Sequence, residues 1–172
     1  MIRHNDPVMR ICIVGAGVTG KTTLAMVLAE HYQAEWLPDY LQEYWLDKME
    51  RGEEDAWTSE EFFHIAQEQA RREDEATGPI LICDGNPFST CIWHEHHLGV
   101  RYAPLEALAA SRHYDLYILT DVLNDEVCRE THTRFLEELT ASRKLFIAVR
   151  GSEGERVRQA IEAVDREVKG YP

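Results

Sequence analysis

A glycine-rich segment of eight residues limits the folds open to this chain more than any other feature of the sequence. Gly15–Thr22 reads Gly-Ala-Gly-Val-Thr-Gly-Lys-Thr and fits the pattern G-x-x-x-x-G-K-[ST]. It follows an apolar run, Arg10–Val14, that predicts a buried strand, and it leads into a segment of helical spacing, Lys21–His31. A strand, a phosphate-binding loop and a helix in this order are the context that the motif requires.

The residue types within this segment suit the binding of a nucleoside triphosphate. Gly15 and Gly20 permit backbone angles and a close approach that a Cβ atom would block. Successive backbone N–H groups and the positive end of the helix then surround the phosphates. Lys21 supplies a positive charge to the outer phosphates, and the Thr22 hydroxyl is placed to ligate Mg²⁺. ATP and Mg²⁺ are therefore the expected cofactors, and the residues expected to hold the nucleotide are Gly15, Ala16, Gly17, Val18, Thr19, Gly20, Lys21, Thr22 and Thr23.

Short apolar runs alternate with longer segments of helical spacing along the chain. The expected strands are Arg10–Val14, Ala34–Leu37, Ile80–Cys83, Asp115–Leu119 and Leu145–Val149. The expected helices are Lys21–His31, Ser59–Ala76 with a capping signal at Thr58, and a segment that follows a similar signal at Ser152. Because parallel strands need helix-length connections, this alternation predicts an α/β, three-layer P-loop fold with a five-stranded, mostly parallel sheet.

Length and composition limit the organisation of the chain and its partners. We expect residues 1–9 to be a flexible tail and residues 10–172 to form a single domain, because 172 residues is close to the usual size of one domain. The formal net charge of −13 opposes a main role in holding nucleic acid. No apolar stretch of the sequence suits a signal peptide or a membrane span, so no membrane partner is expected. The sequence leaves the oligomeric state open.

Cysteine usage indicates the cellular compartment. Cys12, Cys83, Cys91 and Cys128 form no C-x-x-C pair, and the first two lie inside apolar runs. We therefore expect reduced thiols rather than a disulfide framework or a zinc site. Reduced thiols, together with the absence of a membrane-spanning stretch from the sequence, predict a cytoplasmic protein.

An acid at the end of a neighbouring strand is the second element that such a phosphate site requires. The apolar run Ile80–Cys83 is followed directly by Asp84. A carboxylate at this position serves the metal or takes a proton from the acceptor. The alternative is a turn or helix-cap aspartate, because Gly85-Asn86-Pro87 follows and is typical of a turn. We favour the functional role, in which Asp84 is a metal ligand and a candidate catalytic residue.

Four segments together resemble one protein family. They are the phosphate loop Gly15–Thr22, the segment Asp39–Tyr44 (E-x-x-R-E-[FY] in the family), the segment Asp84–Thr90 (D-x-D-x-x-x-T) and the segment Asp125–Arg129 (D-[DE]-x-x-R, in the family's lid). On these motifs the chain resembles, over most of residues 10–168, the nicotinamide riboside kinase (NadR-like) ATPase/kinase family. That family belongs to the P-loop nucleoside and nucleotide kinases.

The resemblance implies ATP- and Mg²⁺-dependent phosphoryl transfer to a small, nucleoside-like acceptor such as nicotinamide riboside. Asp84 or Glu43 would orient or deprotonate the acceptor, and Arg129 would neutralise developing charge. The sequence departs from the family pattern at Gln42, where an arginine is expected, and at Asn86, where a second acid is expected. Both departures fall in the implied acceptor site, whose residues are Asp39, Tyr40, Gln42, Asn86 and Thr90.

Three arginines follow the fourth expected strand, at positions where a P-loop kinase closes a lid over the transferring phosphate: Arg129, Arg134 and Arg143. On a straight helix Arg129 and Arg134 point about 140° apart, so both cannot easily reach one phosphate. We therefore expect one catalytic arginine and one that is exposed or paired with an acid. Arg129 is preferred because it belongs to the lid-like segment. The alternative is that all of them are helix-surface arginines paired with glutamates.

Ring-bearing side chains form two clusters in the sequence, and each has a functional and a structural interpretation. One cluster could stack a flat ring or fill the gap between helix and sheet, and it contains Trp36, Tyr40, Tyr44 and Trp45. The other could contribute to a metal site, although solvated or acid-paired imidazoles are favoured, and it contains His94, His96 and His97.

Between these clusters, the acid-rich segment Asp47–Glu61 is expected to be a solvated connection between helices.

Two other functions remain open at this point. One is a nucleotide-dependent switch or regulatory ATPase, in which water is the acceptor and a protein partner responds to the bound nucleotide. The departures at Gln42 and Asn86 favour this alternative. The other is a polynucleotide 5′-hydroxyl kinase, which the net charge of −13 and the lack of a basic stripe in the sequence oppose.

Overall fold

A sheet of five strands forms the centre of the computed structural model, which describes residues 8–122 and 126–170. The strands are β1 (Met9–Val14), β2 (Glu35–Leu37), β3 (Ile80–Asp84), β4 (Leu116–Thr120) and β5 (Phe146–Val149). Their order across the sheet is β2-β3-β1-β4-β5, and each neighbouring pair is parallel. The expected α/β fold is confirmed, with a sheet that is wholly rather than mostly parallel.

Seven helices connect and cover the strands within the described residues. They are α1 (Lys21–Tyr32), α2 (Tyr40–Glu50), α3 (Ser59–Asp74), α4 (Pro87–Leu98), α5 (Ala103–Ala110), α6 (Glu126–Ala141) and α7 (Glu153–Gly170). Helices α1 and α7 cover one face of the sheet, and α4, α5 and α6 contribute to the core on the other face. Helix α3 packs against α4 and α5, and α2 packs against α3. Within residues 8–122 and 126–170, no helix has the length and apolar character needed to cross a bilayer.

The central strand β1 shows how the sequence produces these layers. Its side chains alternate between the two faces of the sheet, as the pleat of a strand requires. Ile11 and Ile13 belong to the core under α1 and α7, and Cys12 and Val14 belong to the core under α4 and α6. All four residues are buried, which explains why the run is continuously apolar rather than alternating with polar residues.

The observed strand limits lie within one residue of the expected ones, and the difference at the first strand corrects one expectation. Met9 is not part of a flexible tail, because it begins β1 opposite Ile80. Its side chain is buried, and its N–H donates to the carbonyl of Pro79 at 2.9 Å. Helices α2, α4 and α5 are not among those expected. At α4 the turn-like pair Asn86-Pro87 begins a helix, in which Asn86 caps the first turn.

The acid-rich segment Asp47–Glu61 is mostly exposed and joins two helices, as expected, but one of its side chains is buried. It contains the end of α2, the beginning of α3 and a short connection between these helices. Lys48 within it is only 2% exposed, although lysine is seldom buried without a partner. The Nζ atom of Lys48 donates to Glu61 Oε1 at 2.6 Å. A local composition count cannot reveal that one positive side chain of this segment points inward.

A second buried charge ties α3 to the chain just before β4. Glu73 is 1% exposed, and its carboxylate accepts hydrogen bonds from Arg112 Nη2 at 2.8 Å and from the hydroxyl of Tyr114 at 2.7 Å. Burial raises the pKa of Glu73, and the bonds from Tyr114 and Arg112 act in the opposite direction. The carboxylate therefore depends on these two donors, because a buried charge without partners is strongly unfavourable.

We expect Arg112→Met to lower the free energy of unfolding by about 3 kcal/mol, because it removes one partner of the buried Glu73 carboxylate. Arg71→Met is the matched control. Arg71 of α3 pairs with Glu68 and with Glu75 just after the helix, but it is more than half exposed, so its removal should cost much less. Urea unfolding of both variants measures the difference. Equal losses for the two variants would contradict the assignment of Glu73 and Arg112 as a buried pair.

Candidate active site

The carboxyl ends of all five strands meet at one edge of the sheet, because the strands are parallel. The strand order places β1 at the centre, with β2 and β3 on one side and β4 and β5 on the other. A crevice opens outside the strand ends at such a switch point and is the usual ligand site of an open α/β sheet. The loop Gly15–Thr22 follows β1 directly and therefore lies in this crevice.

The loop is held against the end of β4 by a close contact and two hydroxyl groups. Gly15 has φ +147°, and a Cβ atom there would lie 2.5 Å from Thr120 Oγ1. The hydroxyls of Thr19 and Thr120 are 2.6 Å apart, and Thr120 Oγ1 also donates to the carbonyl of Val14. The loop consequently has a fixed position against the sheet, while its tip at Val18 is almost fully exposed.

Lys21 begins α1 and is half-buried among polar groups of the crevice. Its ammonium group donates to the carbonyl of Ala16 at 2.6 Å, so the side chain folds back over the loop. Burial lowers the pKa of Lys21, whereas the nearby carboxylates of Asp84 and Asp39 raise it. A lysine in this position can contact the outer phosphates of a nucleotide held by the loop.

Asp84 ends β3, and its carboxylate meets the hydroxyl of Thr22. Thr22 Oγ1 donates to Asp84 Oδ2 at 2.5 Å, and Asp84 is 2% exposed. Burial raises the pKa of Asp84, and the bond from Thr22 and the charge of Lys21 lower it. The second oxygen, Oδ1, is buried and has no hydrogen-bond partner among the described residues. The alternative role of Asp84 as a helix cap is wrong, because Asn86 caps α4.

The oxygen atoms at this point suit a hard cation. A carboxylate oxygen without a partner and a hydroxyl beside it are the kinds of ligand that Mg²⁺ takes, together with waters and phosphate oxygens. In the part of the chain that the structure describes, no group of three His, Cys, Asp or Glu side chains converges in a way that could hold a metal. An all-protein metal cage is therefore absent from these residues, and His94, His96 and His97 do not form one.

Asp39 is the second carboxylate of the crevice. It caps α2, and its Oδ1 atom accepts a hydrogen bond from the backbone N–H of Leu41 at 3.0 Å. A Cβ atom on Gly85, directly after β3, would lie 3.0 Å from Asp39 Cγ, so the two strand ends are in close contact. Burial, together with the charge of Asp84, raises the pKa of Asp39 to about 7, although Lys21 opposes this shift.

A cavity of about 580 Å³ opens on this side of the loop. One part of its wall is polar and consists of the loop, Asp39, Gln42 and Asp84. The other part is made of ring side chains from α2, from the segment before α3 and from α4, namely Trp45, Trp57, Trp93 and His97. A flat, polar molecule can stack on such a wall while its polar end faces the carboxylates.

A second cavity, of about 350 Å³, lies on the opposite side of the loop, against the segment between β5 and α7. The buried Arg156 of α7 joins the two segments, because it donates to the carbonyl of Thr19 at 3.0 Å and to that of Gly151 at 2.8 Å. The loop is thus flanked by two cavities. The residues that line the second one are Thr19, Gly20, Thr23, Leu24, Thr120, Gly151, Ser152, Glu153, Arg156 and Val157.

The structure does not bring Glu43 to the crevice. Its side chain is 58% exposed, and Arg72 Nη1 donates to its carboxylate at 2.9 Å. Tyr40 lies at the same outer surface, with the Arg72 guanidinium 4.4 Å from the centre of its ring. The roles expected for Glu43 and Tyr40 fail for a geometric reason. Asp39, which caps α2, and Gln42 in its first turn line the cavity, whereas Tyr40 and Glu43 contact Arg72 of α3.

Asn86 and Thr90 also lie apart from the cavity wall, although both were expected to bind the acceptor. Asn86 is 1% exposed, and its Oδ1 atom accepts from the N–H of Ser89 as the cap of α4. Its Nδ2 atom donates to the hydroxyl of Tyr117 at 3.3 Å. The hydroxyl of Thr90 donates to the carbonyl of Asn86 at 3.1 Å. Both residues therefore stabilise the first turn of α4. Trp93 and His97 lie further along the same helix.

The three arginines that follow β4 lie in different surroundings. Arg134 is paired with Glu95 at 2.7 Å and with Glu138 at 2.6 Å. Of Arg129 and Arg134, it is therefore Arg134 that is paired with acids. Arg129 is exposed near the start of α6. Arg143 lies before β5, at the opposite edge of the sheet from the crevice. Asp125, the first residue of the lid-like segment, lies outside the described residues.

Of the ring side chains in the cavity wall, Trp45 belongs to the cluster that the sequence suggests could stack a flat ring. The sequence does not indicate Trp57 or Trp93, and it suggests His97 only as a metal ligand. Its imidazole instead lies 5.6 Å from the ring of Trp57, and burial lowers its pKa. His94 is buried and paired with the hydroxyl of Ser59 at 2.9 Å. The spacing of Trp93 and His97, four residues apart on one helix, was the available signal.

Comparison with known proteins decides the family. A family model described as AAA domain matches residues 10–156, which is most of the chain. The chain belongs to the AAA domain family. Together with the strand–loop–helix geometry, this membership confirms the expected enzyme class, a P-loop kinase or ATPase. Among curated proteins, none matches the sequence significantly.

Several solved structures share the fold of this AAA domain chain. NadR protein in complex with NR has a TM-score of 0.77 at 18% identity, covering 93% of this chain and 50% of that chain. NadR with NAD and AMP-PNP has a TM-score of 0.73 at 20% identity, and the match covers 93% of this chain and 49% of that chain. Thymidylate kinase from Ehrlichia chaffeensis has a TM-score of 0.68 at 16% identity, and the match covers 92% of this chain and 100% of that chain. The expected likeness to NadR is thus confirmed for the fold, and the chain spans about half the length of NadR.

The contact between the loop and β4 generates a test on stability. We expect Gly15→Ala to lower the free energy of unfolding by about 2 kcal/mol, because the residue has φ +147° and a Cβ would overlap Thr120 Oγ1. Gly17→Ala is the control within the same loop, since a Cβ there meets nothing within 4 Å. It should change stability by less than about 0.5 kcal/mol. Thermal and urea unfolding compare the variants, and a harmless Gly15→Ala would refute the close contact.

Proposed function

We propose that the AAA domain chain is a kinase that transfers the γ-phosphoryl group of ATP to a hydroxyl of a nucleoside-like acceptor, such as nicotinamide riboside. The observation that supports this proposal best is the pair of cavities on either side of one phosphate loop. A kinase needs a donor site and an acceptor site that share such a loop. The cavity beside Arg156 suits the donor nucleoside, and the cavity with the tryptophans suits the acceptor. We name them the donor cavity and the acceptor cavity.

The residues of the loop would hold and polarise the phosphates. The backbone N–H groups of Gly15–Thr22 and the start of α1 would surround the triphosphate, and the ammonium group of Lys21 would contact its outer phosphates. Thr22 Oγ1 and Asp84 Oδ1, which no described residue hydrogen-bonds, are the protein atoms that would hold Mg²⁺. Bound Mg²⁺ supplies charge neutralisation for the phosphate oxygens.

Asp39 is our candidate for the carboxylate that orients or deprotonates the acceptor hydroxyl, a role considered above for Asp84 or Glu43. Asp39 lines the acceptor cavity together with Asp84 and Lys21, whereas Glu43 is bound to Arg72 at the surface. Asp84 bonds Thr22 through Oδ2 and is assigned to the cation through Oδ1, which leaves Asp39 as the acid for the acceptor. Its raised pKa favours proton transfer near neutral pH.

The character of the acceptor follows from what surrounds it. Lys21 is the single lysine or arginine among the described residues that line the acceptor cavity, and it is assigned to the donor phosphates. A nucleoside monophosphate would bring a second anion next to Asp39 and Asp84 without an arginine to receive it. A nucleoside without a phosphate group avoids that repulsion, and its base can stack on Trp57 or Trp93.

The proposal is tested by measuring ADP release from ATP with a panel of nucleosides and without an acceptor. A kinase predicts release that rises strongly with one class of nucleoside and is slow in water alone. Release that no nucleoside changes, but that a protein partner stimulates, would contradict the proposal. It would instead support a regulatory ATPase, the function that the departures at Gln42 and Asn86 favour.

We expect Asp39→Asn to lower kcat for transfer at least about 100-fold, because it removes the carboxylate that faces the acceptor hydroxyl. Glu43→Gln is the matched control, since it neutralises an acid four residues away that contacts Arg72 instead. Transfer should fall less than about twofold in that variant. Steady-state kinetics with saturating ATP separate the two. A severe loss in Glu43→Gln with little loss in Asp39→Asn would return the role to Glu43.

The two arginines of α6 give a second kinetic test. The thiol of Cys128 contacts the carbonyl of Gly17 at 3.6 Å, so the start of α6 lies beside the phosphate loop. We therefore expect Arg129→Ala to lower kcat about tenfold with a smaller change in the KM for ATP, the pattern of a contact made mainly in the transition state. Arg134→Ala should have little kinetic effect, because Arg134 is engaged with Glu95 and Glu138. The reverse pattern would exclude Arg129 as the lid arginine.

A further inference from the structure

The connection between α2 and α3, residues 51–58, supplies one wall of the acceptor cavity. Trp57 is the residue of this connection that lines the cavity, and its ring is half-buried. A connection with so many acids has little apolar surface of its own with which to hold a large ring in place. The position of Trp57 therefore depends on contacts made from outside the connection.

Lys48 provides a central contact of this kind. It lies in the last turn of α2, and only 2% of its surface is exposed. Its Nζ atom lies 4.6 Å from the centre of the Trp57 ring, within the range of a cation–π contact. The same ammonium group donates to the backbone carbonyl of Ala56 and to Glu61 Oε1. One buried charge thus joins α2, the connection and α3.

Glu61 extends this arrangement from the side of α3. Its Oε2 atom accepts from the backbone N–H of Thr58 at 2.8 Å, and Thr58 in turn caps α3. Its Oε1 atom accepts from the hydroxyl of Tyr44 at 3.2 Å as well as from Lys48. Burial alone would raise the pKa of Glu61, but the bonds from Lys48 and Thr58 hold this pKa below its usual value. The carboxylate is consequently charged when it receives Lys48.

Trp57 is enclosed by the remaining contacts. Its Nε1 atom donates to the carbonyl of Glu54 at 2.8 Å. The ring lies 4.8 Å from that of Phe62 and 5.6 Å from that of His97, measured between ring centres. Phe62 is fully buried, so the indole rests on the core and turns its remaining surface to the cavity. Lys48 fixes both the backbone before Trp57, through Ala56, and the ring itself.

We propose that Lys48 is a positioning residue that sets the affinity for the acceptor by holding Trp57 in the cavity wall. The inference rests on the proposed function, in which this cavity receives a nucleoside. Lys48 does not line the cavity, so its effect would pass through Trp57. Apolar residues of similar size in place of both Lys48 and Glu61 could fill the same space, often at no cost to stability. A buried ammonium group adds directed hydrogen bonds that fix one orientation.

The matched pair of variants is Lys48→Met and Lys144→Met. Lys144 is also half-buried, and its Nζ atom lies 5.1 Å from the centre of the Phe88 ring and 5.2 Å from that of Tyr117. It lines a different cavity. Both substitutions remove a cation from aromatic rings, so Lys144→Met controls for the loss of a cation–π contact. An effect of Lys48→Met alone on the acceptor site is therefore not a general consequence of removing such a contact.

The first readout needs no substrate. The protein is labelled with 5-fluorotryptophan, and the ¹⁹F resonance of Trp57 is assigned with Trp57→Phe. Lys48→Met should shift or broaden the Trp57 resonance and leave that of Trp36 unchanged, while Lys144→Met should leave the Trp57 resonance unchanged. Should Lys48→Met fail to fold, Glu61→Gln weakens the same bond and should shift the same resonance. An unchanged Trp57 resonance in the folded variants would overturn the inference, whatever the acceptor is.

The second readout is kinetic. Lys48→Met should raise the KM for the nucleoside about tenfold, the scale of one lost stacking contact, and change kcat and the KM for ATP less than twofold. In a Trp57→Ala background the same substitution should have no further effect on the nucleoside KM, because the ring it positions is gone. Additive effects of the two substitutions would contradict the inference. If no nucleoside accepts phosphate from the wild type, the proposed function fails, and the ¹⁹F result still decides whether Lys48 positions Trp57.

Discussion

The contact of the phosphate loop with the end of β4 is the constraint on which the rest of the site depends. The absence of a side chain at Gly15 lets the loop lie against Thr120, and the hydroxyl of Thr19 fastens it there. The carbonyl of Thr19 also receives Arg156, so the same short segment ties the loop to α7. Because the loop is fixed between β4 and α7 on one side and faces Asp39 and Asp84 on the other, it can serve both cavities at once.

Charge within the crevice is more balanced than the charge of the chain as a whole. The chain carries a formal net charge of −13, yet Asp39 and Asp84 have Lys21 and the N-terminal end of α1 beside them. Burial raises the pKa of both carboxyls, which shows that each lies where a negative charge is unfavourable without a partner. A cation at Asp84 and a hydroxyl donor at Asp39 are the partners that phosphoryl transfer would supply.

The sequence predicts the fold and the loop well because both are local features. Continuous apolar runs mark buried parallel strands, and the glycines and Lys21 of Gly15–Thr22 are spaced by backbone geometry alone. The acceptor side is different. Whether Asp39 or Glu43 faces the cavity depends on the helix cap at Asp39 and on Arg72, which is 29 residues from Glu43 along the chain. Trp57 and His97 meet only because α3 packs on α4, so no local pattern could join them.

The occupancy of the two cavities in one complex tests the central claim most directly. A crystal structure with AMP-PNP, Mg²⁺ and nicotinamide riboside should show the adenine beside Arg156 and the pyridine ring among Trp57, Trp93 and His97. The acceptor hydroxyl should lie within hydrogen-bond distance of Asp39 and in line with the γ-phosphate. A nucleotide base stacked among the tryptophans, or a nucleoside bound elsewhere on the protein, would contradict this account.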